Sequence, residues 1–161
     1  MRNTPFFSIV IPAYKLQFLG ESMDSLLMQT FKDFELIVVN DKSPEAIRDL
    51  IEGYDDPRIA YHENAENMGR KDLVVSWNHA CRLATGEYLL VASYDDIYSP
   101  DFLEKVHVLI AEHPECELIR GRVRKIFDDG TLQDAEGAFD PYMHPQRFAY
   151  YLIRHGFTCS A

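Results

Sequence analysis

Two textures of apolar residues alternate along the chain: short β-branched runs with few polar interruptions, and longer stretches repeating at about 3.6 residues. Residues 7–12 (FSIVIP) are almost continuously apolar, which predicts a strand buried on both faces of a parallel sheet, ended by Pro12. Leu19, Met23, Leu26 and Leu27 then fall at i, i+4, i+7 and i+8 with Glu21, Ser22, Asp24 and Ser25 between them, the pattern of an amphipathic helix. A second buried strand at 34–39 (FELIVV) closes on the polar turn 40–43 (NDKS). Ser43 followed by Pro44 has the form of an N-cap and a first-turn proline, predicting a helix through Ile47, Leu50 and Ile51.

The alternation continues. Pro57 precedes a short strand predicted near 58–62. Val74, Trp77, Cys81 and Ala84 trace one helical face, and Gly86 stands where a C-terminal cap glycine ends a helix at about Thr85. Residues 87–93 (EYLLVAS) predict another strand, delivering Tyr94, Asp95 and Asp96 at its carboxyl end. Ser99 and Pro100 repeat the cap-plus-proline pair, and Phe102, Leu103, Val106, Leu109 and Ile110 supply the buried stripe of a helix that His113 and Pro114 interrupt. Strand-helix alternation of this kind predicts an α/β sheet with right-handed crossovers. After Pro114 the pattern weakens: one or two strands between 117 and 127, a turn at Asp129 and Gly130, a short helix between 145 and 154, and a strand-like end at 157–161 that reads as a truncation.

Composition narrows the function. The 161 residues are 47% hydrophobic and 26% charged, so a single folded globular domain is expected. Twenty-six acids against sixteen bases give a formal charge of -10, which disfavours a nucleic acid partner. No apolar stretch approaches the roughly 18–20 residues of a membrane span, and the opening MRNTPFF has no signal-peptide core. Cys81, Cys116 and Cys159 have neither disulfide nor zinc spacing, and a reducing cytoplasm fits them.

Ligands of open α/β sheets bind beyond the carboxyl ends of the strands, and three such ends are polar here: Pro12-Ala13-Tyr14, Asn40-Asp41, and Ser93 through Asp96. Adjacent acids at a strand end raise each other's pKa unless a cation neutralises them, so Asp95 and Asp96 point to Mn²⁺ or Mg²⁺ completed by diphosphate oxygens. Each residue also has a plainer reading. Asp95 and Asp96 can be a loop leading into a capped helix, Asp41 an Asx-turn residue, Tyr14 and Trp77 packing, Cys81 a buried hydrophobe, and Arg70 a solvated charge. No P-loop, GxGxxG or GxSxG signature is present, while a phosphoaspartate protein using Asp41 or Asp95 remains a rival.

Five ordered segments resemble family 2 glycosyltransferases: 7–14 (FSIVIPAY) is similar to SVIIPxYN, 26–31 (LLMQTF) to SLLxQTF, 35–43 (ELIVVNDKS) to EIIVVDDGS, 67–69 (NMG) to NxG, and 86–96 (GEYLLVASYDD) to GEYIxFLDxDD. The resemblance implies a GT-A fold, a Rossmann-like, mostly parallel mixed sheet flanked by helices. Residues 6–113 would form the nucleotide-sugar donor half of one GT-A domain, and 114–161 the start of an acceptor half that is incomplete at its C-terminus. It further implies metal-assisted transfer, with inversion, from a nucleotide-sugar donor, expected to be a UDP-sugar, to a hydroxyl of a saccharide or lipid-linked acceptor, as in polysaccharide biosynthesis. A cytoplasmic location, extending to peripheral association with the inner membrane face, goes with that.

By the same resemblance Pro12, Ala13 and Tyr14 would line the base pocket, Asp41 would accept from a uracil-type N–H, and Arg70 would approach base or diphosphate, though the segment between Gly69 and Asn78 is longer than in many relatives. Asp95 and Asp96 would hold the metal, and Ser93 stands at the first aspartate of the DxD-type motif, as Asn40 does in VVDDGS. Losing that charge at Ser93 predicts weak metal affinity without nucleotide. The general base of the family lies in the acceptor half, expected beyond Ala161. A non-catalytic nucleotide-sugar binding module, or a degenerate transferase domain, is the alternative.

Overall fold

The computed structural model describes residues 4–134. Within its first unit, Met1–Glu115, four strands form one parallel sheet: β1 (Phe7–Ala13), β2 (Phe34–Asn40), β3 (Ile59–Glu63) and β4 (Tyr88–Val91), in the order β3-β2-β1-β4. Helices α1 (Leu19–Leu27), α2 (Ile47–Glu52) and α3 (Leu73–Cys81) connect them, and α4 (Phe102–Glu112) follows the last strand. This is the expected α/β architecture.

The run of β-branched residues in β1 and β2 is explained by burial on both faces. On one face Phe7, Ile9, Ile11, Leu36 and Val38 meet Leu19, Met23 and Leu26 of α1, Ile47 and Ile51 of α2, and Leu103 of α4. On the other, Val10, Ile37 and Val39 meet Ala80 of α3. Ser8 is the buried polar exception in β1: its hydroxyl accepts from the Gly86 amide at 2.7 Å and the Thr85 amide at 3.1 Å, which fixes the entry to β4.

Several local expectations are corrected. Pro12 lies inside β1, not at its end. Ala92 donates to the Val10 carbonyl on the β4 side, so by strand alternation the N–H that Pro12 lacks would also face β4. Pairing with β4 therefore stops at Val10↔Val91, while pairing with β2 continues to Ala13↔Asn40. Neither serine caps its helix. Ser43 Oγ accepts from Glu45 N at 3.0 Å in a local turn and α2 starts only at Ile47, while α4 starts at Phe102, two residues beyond Pro100.

The α3 helix ends at Cys81, earlier than predicted, and its buried side is Ser76 and Ala80. Val74 and Trp77 are exposed, because a single helix over the sheet needs only a narrow seam of small residues. Gly86 is no helix cap. A Cβ there would lie 2.8 Å from both N and Oγ of Ser8 and 2.9 Å from the Phe7 carbonyl carbon, so the glycine permits β4 to approach β1.

The second unit begins at Cys116, and its described part carries an antiparallel pair, β5 (Arg124–Ile126) and β6 (Leu132–Asp134). The expected turn at Asp129 and Gly130 joins them, with Gly130 at φ 79° and Asp129 Oδ1 accepting from Thr131 N at 2.9 Å. The helix predicted at 145–154 and the strand-like segment 157–161 lie outside the described residues.

Gly86→Ala is expected to destabilise the chain by about 1–3 kcal/mol, because the methyl group meets the Phe7–Ser8 peptide and the Ser8 hydroxyl. Urea unfolding with an unchanged slope and a lowered midpoint checks this, and an unshifted midpoint refutes the close-approach reading.

Candidate functional site

Strand register brings the polar ends to one edge. Ala13 is level with Asn40, and Asn40 with Glu63, so Tyr14, Asp41 and Asn64 leave the sheet side by side. Because the ladder to β4 ends at Val91, the chain is free to turn at Ala92 and carry Ser93 through Asp96 along the same edge. The residues expected at three strand ends do share one rim.

Asp41 is the most constrained of them. It is only 6% exposed, and its Oδ1 accepts from Asn64 Nδ2 at 2.7 Å and Met68 N at 2.9 Å, while Oδ2 accepts from Gly69 N at 2.7 Å. The Ser76 side chain is a fourth donor. Burial pushes the carboxyl pKa up, but the hydrogen bonds from Asn64, Gly69, Met68 and Ser76 together outweigh it and hold Asp41 below its ordinary value. A carboxylate offers about four acceptor positions. Asp41 thus ties β2, the turn 64–69 and the start of α3 together, and a Cβ on Gly69 would come within 2.9 Å of Oδ2.

The Asx residue of the 40–43 turn is Asn40, not Asp41. Asn40 Oδ1 accepts from Ser43 N at 2.8 Å and its Nδ2 donates to Tyr61 Oη at 2.9 Å, with Lys42 at φ 54° completing the bend. Ser43 Oγ in turn donates to the Tyr14 carbonyl at 2.7 Å, so the turn holds Tyr14 in place while its ring stays exposed. Pro12 is half-buried and Ala13 buried directly behind it.

Asp95 and Asp96 are both half-buried. Ser93 Oγ donates to Asp95 Oδ1, and Asp95 has no cationic side chain within ion-pair distance among the described residues. Tyr98 lies beneath them. Burial raises its phenol pKa, the Asp96 and Asp95 charges raise it further, and the Ser93 amide only partly offsets this, so the phenol is neutral. Among the described residues no group of three or more His, Cys, Asp or Glu is arranged to hold a metal ion. Arg70 is exposed; its amide donates to Asn67 Oδ1 at 2.7 Å, and its guanidinium makes no hydrogen bond or ion pair with another described residue.

Sequence reasoning missed two groups. Asn64 and Ser76 grip Asp41, and nothing in their spacing announces it. Ser22, Ser25 and Gln29 are buried on or just beyond α1 and bond to the segment 93–103; the signal was their polarity beside the apolar stripe.

The lowered pKa of Asp41 sets the sign of a pH effect. Its folded value lies below the ordinary 3.8, so its contribution is complete above pH 3.8 and is lost as pH falls through the folded value. Asp41→Asn is expected to cost about 1.5–3 kcal/mol at pH 7 and less at pH 3. Urea midpoints at the two pH values check this, and an equal loss at both would remove the charge from the explanation.

Comparison with known proteins gives the same picture. The family model described as Glycosyl transferase family 2 matches residues 8–160. An uncharacterized glycosyltransferase of Methanocaldococcus jannaschii is 32% identical over 137 residues, 81% of this chain and 46% of the relative. The crystal structure of Staphylococcus aureus TarS 1-349 in complex with UDP-GlcNAc is 27% identical with a TM-score of 0.60, over 67% of this chain and 32% of that one. A mannosyltransferase of Pyrobaculum calidifontis, solved with GDP-Man and Mn²⁺, shares the fold at 24% identity and TM-score 0.57, over 68% and 33% of the two chains. The chain thus spans less than half of each of these proteins. With a matched model over nearly its whole length and a parallel sheet whose polar ends share one rim, the chain belongs to glycosyl transferase family 2.

Proposed function

We propose that this chain is the donor-binding part of an inverting glycosyltransferase, holding a nucleotide-sugar, a UDP-sugar in the first instance, at the rim formed by Tyr14, Asp41 and the 93–96 segment. One observation carries this: strand register lines up three polar strand ends around β1. The similarity to TarS, solved with UDP-GlcNAc, supports the uridine choice.

Pro12, Ala13 and Tyr14 line the base pocket, with the exposed Tyr14 ring available for stacking. Asp41 shapes that pocket through the 64–69 turn. Direct acceptance of a base N–H by Asp41 requires one of its four present donors to yield. Arg70, with its guanidinium uncommitted among the described residues, approaches the diphosphate.

The donor set fits a hard divalent cation. Asp95 and Asp96 are oxygen ligands, half-buried, and Asp95 uses one acceptor position on Ser93 while keeping others. They would hold Mn²⁺ or Mg²⁺, with phosphate oxygens and water completing the shell, since Mg²⁺-type sites often use only one or two carboxylates. When bound, the cation supplies Lewis-acid stabilisation of the departing nucleoside diphosphate. Ser93 orients Asp95, and Asp41 keeps the base side rigid. The acceptor's attacking hydroxyl needs a proton acceptor, and none of the described residues is assigned that role.

The division after Glu115 supports residues 6–113 as the donor half and 114–161 as the start of an acceptor half. The acceptor is proposed to be a saccharide or lipid-linked hydroxyl. Among the described residues no helix is long and apolar enough to cross a membrane, so contact with a lipid-linked acceptor is proposed to be peripheral. Ser93 at the first aspartate of the motif favours a second reading, a nucleotide-sugar binding module without catalysis.

Calorimetry with UDP tests the donor site: binding that strengthens with Mn²⁺ is expected, and no binding with or without metal overturns both readings. Asp95→Asn is expected to weaken UDP binding about 10-fold or more in Mn²⁺ and little in EDTA. Equal losses in the two conditions would falsify the metal role.

A further inference from the structure

The segment from Ala92 to Asp101, which carries both aspartates, has no regular secondary structure, so its backbone groups need partners elsewhere. Several find them on α1 and the residues just beyond it. Ser22 Oγ donates to the Ser93 carbonyl at 3.0 Å, Ser25 Oγ accepts from Tyr98 N at 3.1 Å, and Gln29 Nε2 donates to the Ser99 carbonyl at 2.7 Å. Gln29 Oε1 accepts from Leu103 N at 2.9 Å, taking the place of the side-chain cap that α4 lacks. Thr30 N adds a bond to the Pro100 carbonyl at 2.8 Å.

Ser22, Ser25 and Gln29 meet positions 93, 98 and 99 in the same order along the chain. Anchors fall at 93, 98, 99, 100 and 103, leaving 94–97, with Asp95 and Asp96, as the span between them. Ser22 is fully buried and Ser25 nearly so in a helix whose other inward residues are Leu19, Met23 and Leu26, and Gln29, just beyond its end, is fully buried too. An apolar stripe would have held the helix without fixing which backbone group sits where. Directed hydrogen bonds fix both distance and register.

We propose that Ser22, Ser25 and Gln29 are positioning residues for the Asp95–Asp96 carboxylates, setting the geometry on which cation-assisted diphosphate binding depends; this rests on the donor-site reading above. All three side chains are buried. Their effect passes through the backbone of 93–103.

Gln29→Met keeps volume and removes both side-chain hydrogen bonds. In the intact chain it is expected to raise the Mn²⁺ concentration for half-maximal UDP binding about 10-fold, with UDP binding in EDTA unchanged. The control is a core truncation on the opposite sheet face, Ile37→Val or Ile37→Ala, whichever matches the loss of urea midpoint, and it should leave the Mn²⁺ midpoint in place. An unmoved midpoint in Gln29→Met, or an equal shift in the control, overturns the proposal. Ser22→Ala and Ser25→Ala serve the same comparison if Gln29→Met does not fold.

Hydrogen exchange separates this from failure of the donor reading. If wild-type chain shows no Mn²⁺-dependent UDP binding, the donor site fails. The positioning role is then judged on whether Gln29→Met accelerates exchange at 93–103 alone, which supports it, or also across β1 and β2, which overturns it.

Discussion

Everything at the rim follows from how β1 is paired. Like β2 it is bonded on both sides and buried on both faces, and it is the strand between β2 and β4, so its end decides where those two neighbours leave the sheet. Proline at position 12 removes one ladder bond on the β4 side only. The β2 side runs on to Asn40 and places Asp41 against the Ala13 carbonyl at 2.9 Å, whereas the β4 chain is released at Ala92. The offset gives the two acidic segments different surroundings: one is held by a continuing ladder, the other arches from an ended one.

That difference separates the acids chemically. Asp41 meets four donors from its own chain, which stabilise its charge without any cation and make it a structural anchor. Asp95 meets one hydroxyl and no cationic side chain among the described residues. Two carboxylates in the same short chain edge thus divide by satisfaction: the saturated one organises a turn, and the undersatisfied one retains lone pairs for an external charge. In a chain of net charge -10, another negatively charged ligand would be repelled unless a cation or Arg70 stood beside it.

The fold was legible because both central strands are buried on two faces, leaving an apolar run that polar loops cannot imitate. Helix faces were less so. The α1 stripe was read correctly at Leu19, Met23 and Leu26, since three helices share that side of the sheet and bury large residues. On α3 the large residues misled: Val74 and Trp77 are exposed and the seam is Ser76 and Ala80, small residues that carry no amphipathic signal. Cap motifs failed for a related reason. Ser43 spends its hydroxyl on Tyr14 and Glu45, a tertiary use that local pattern does not encode. At the site, the strand-end acids could be named from sequence, while their partners Asn64, Ser76, Ser22, Ser25 and Gln29 depend on which loops meet in space.

For the proposed cation site, a pair of carboxylates without a third among the described residues has a thermodynamic consequence. At the proposed donor site Asp95 and Asp96 alone would supply too few oxygen ligands to hold a hard cation tightly, and a diphosphate alone would meet two like charges. Each ligand supplies what the other lacks, so their affinities must rise together by the same factor. Ser93 would strengthen that coupling, because a hydroxyl in place of a charge lowers affinity for the free cation more than for a cation already neutralised by phosphate. A donor site of the proposed kind would recognise the cation-diphosphate pair, and its selectivity would depend on keeping Asp95 and Asp96 at a fixed separation from the base side of the rim. In that reading the hydrogen bonds of Ser22, Ser25 and Gln29 to the 93–103 segment would hold one side of that separation, and the turn gripped by Asp41 would hold the other.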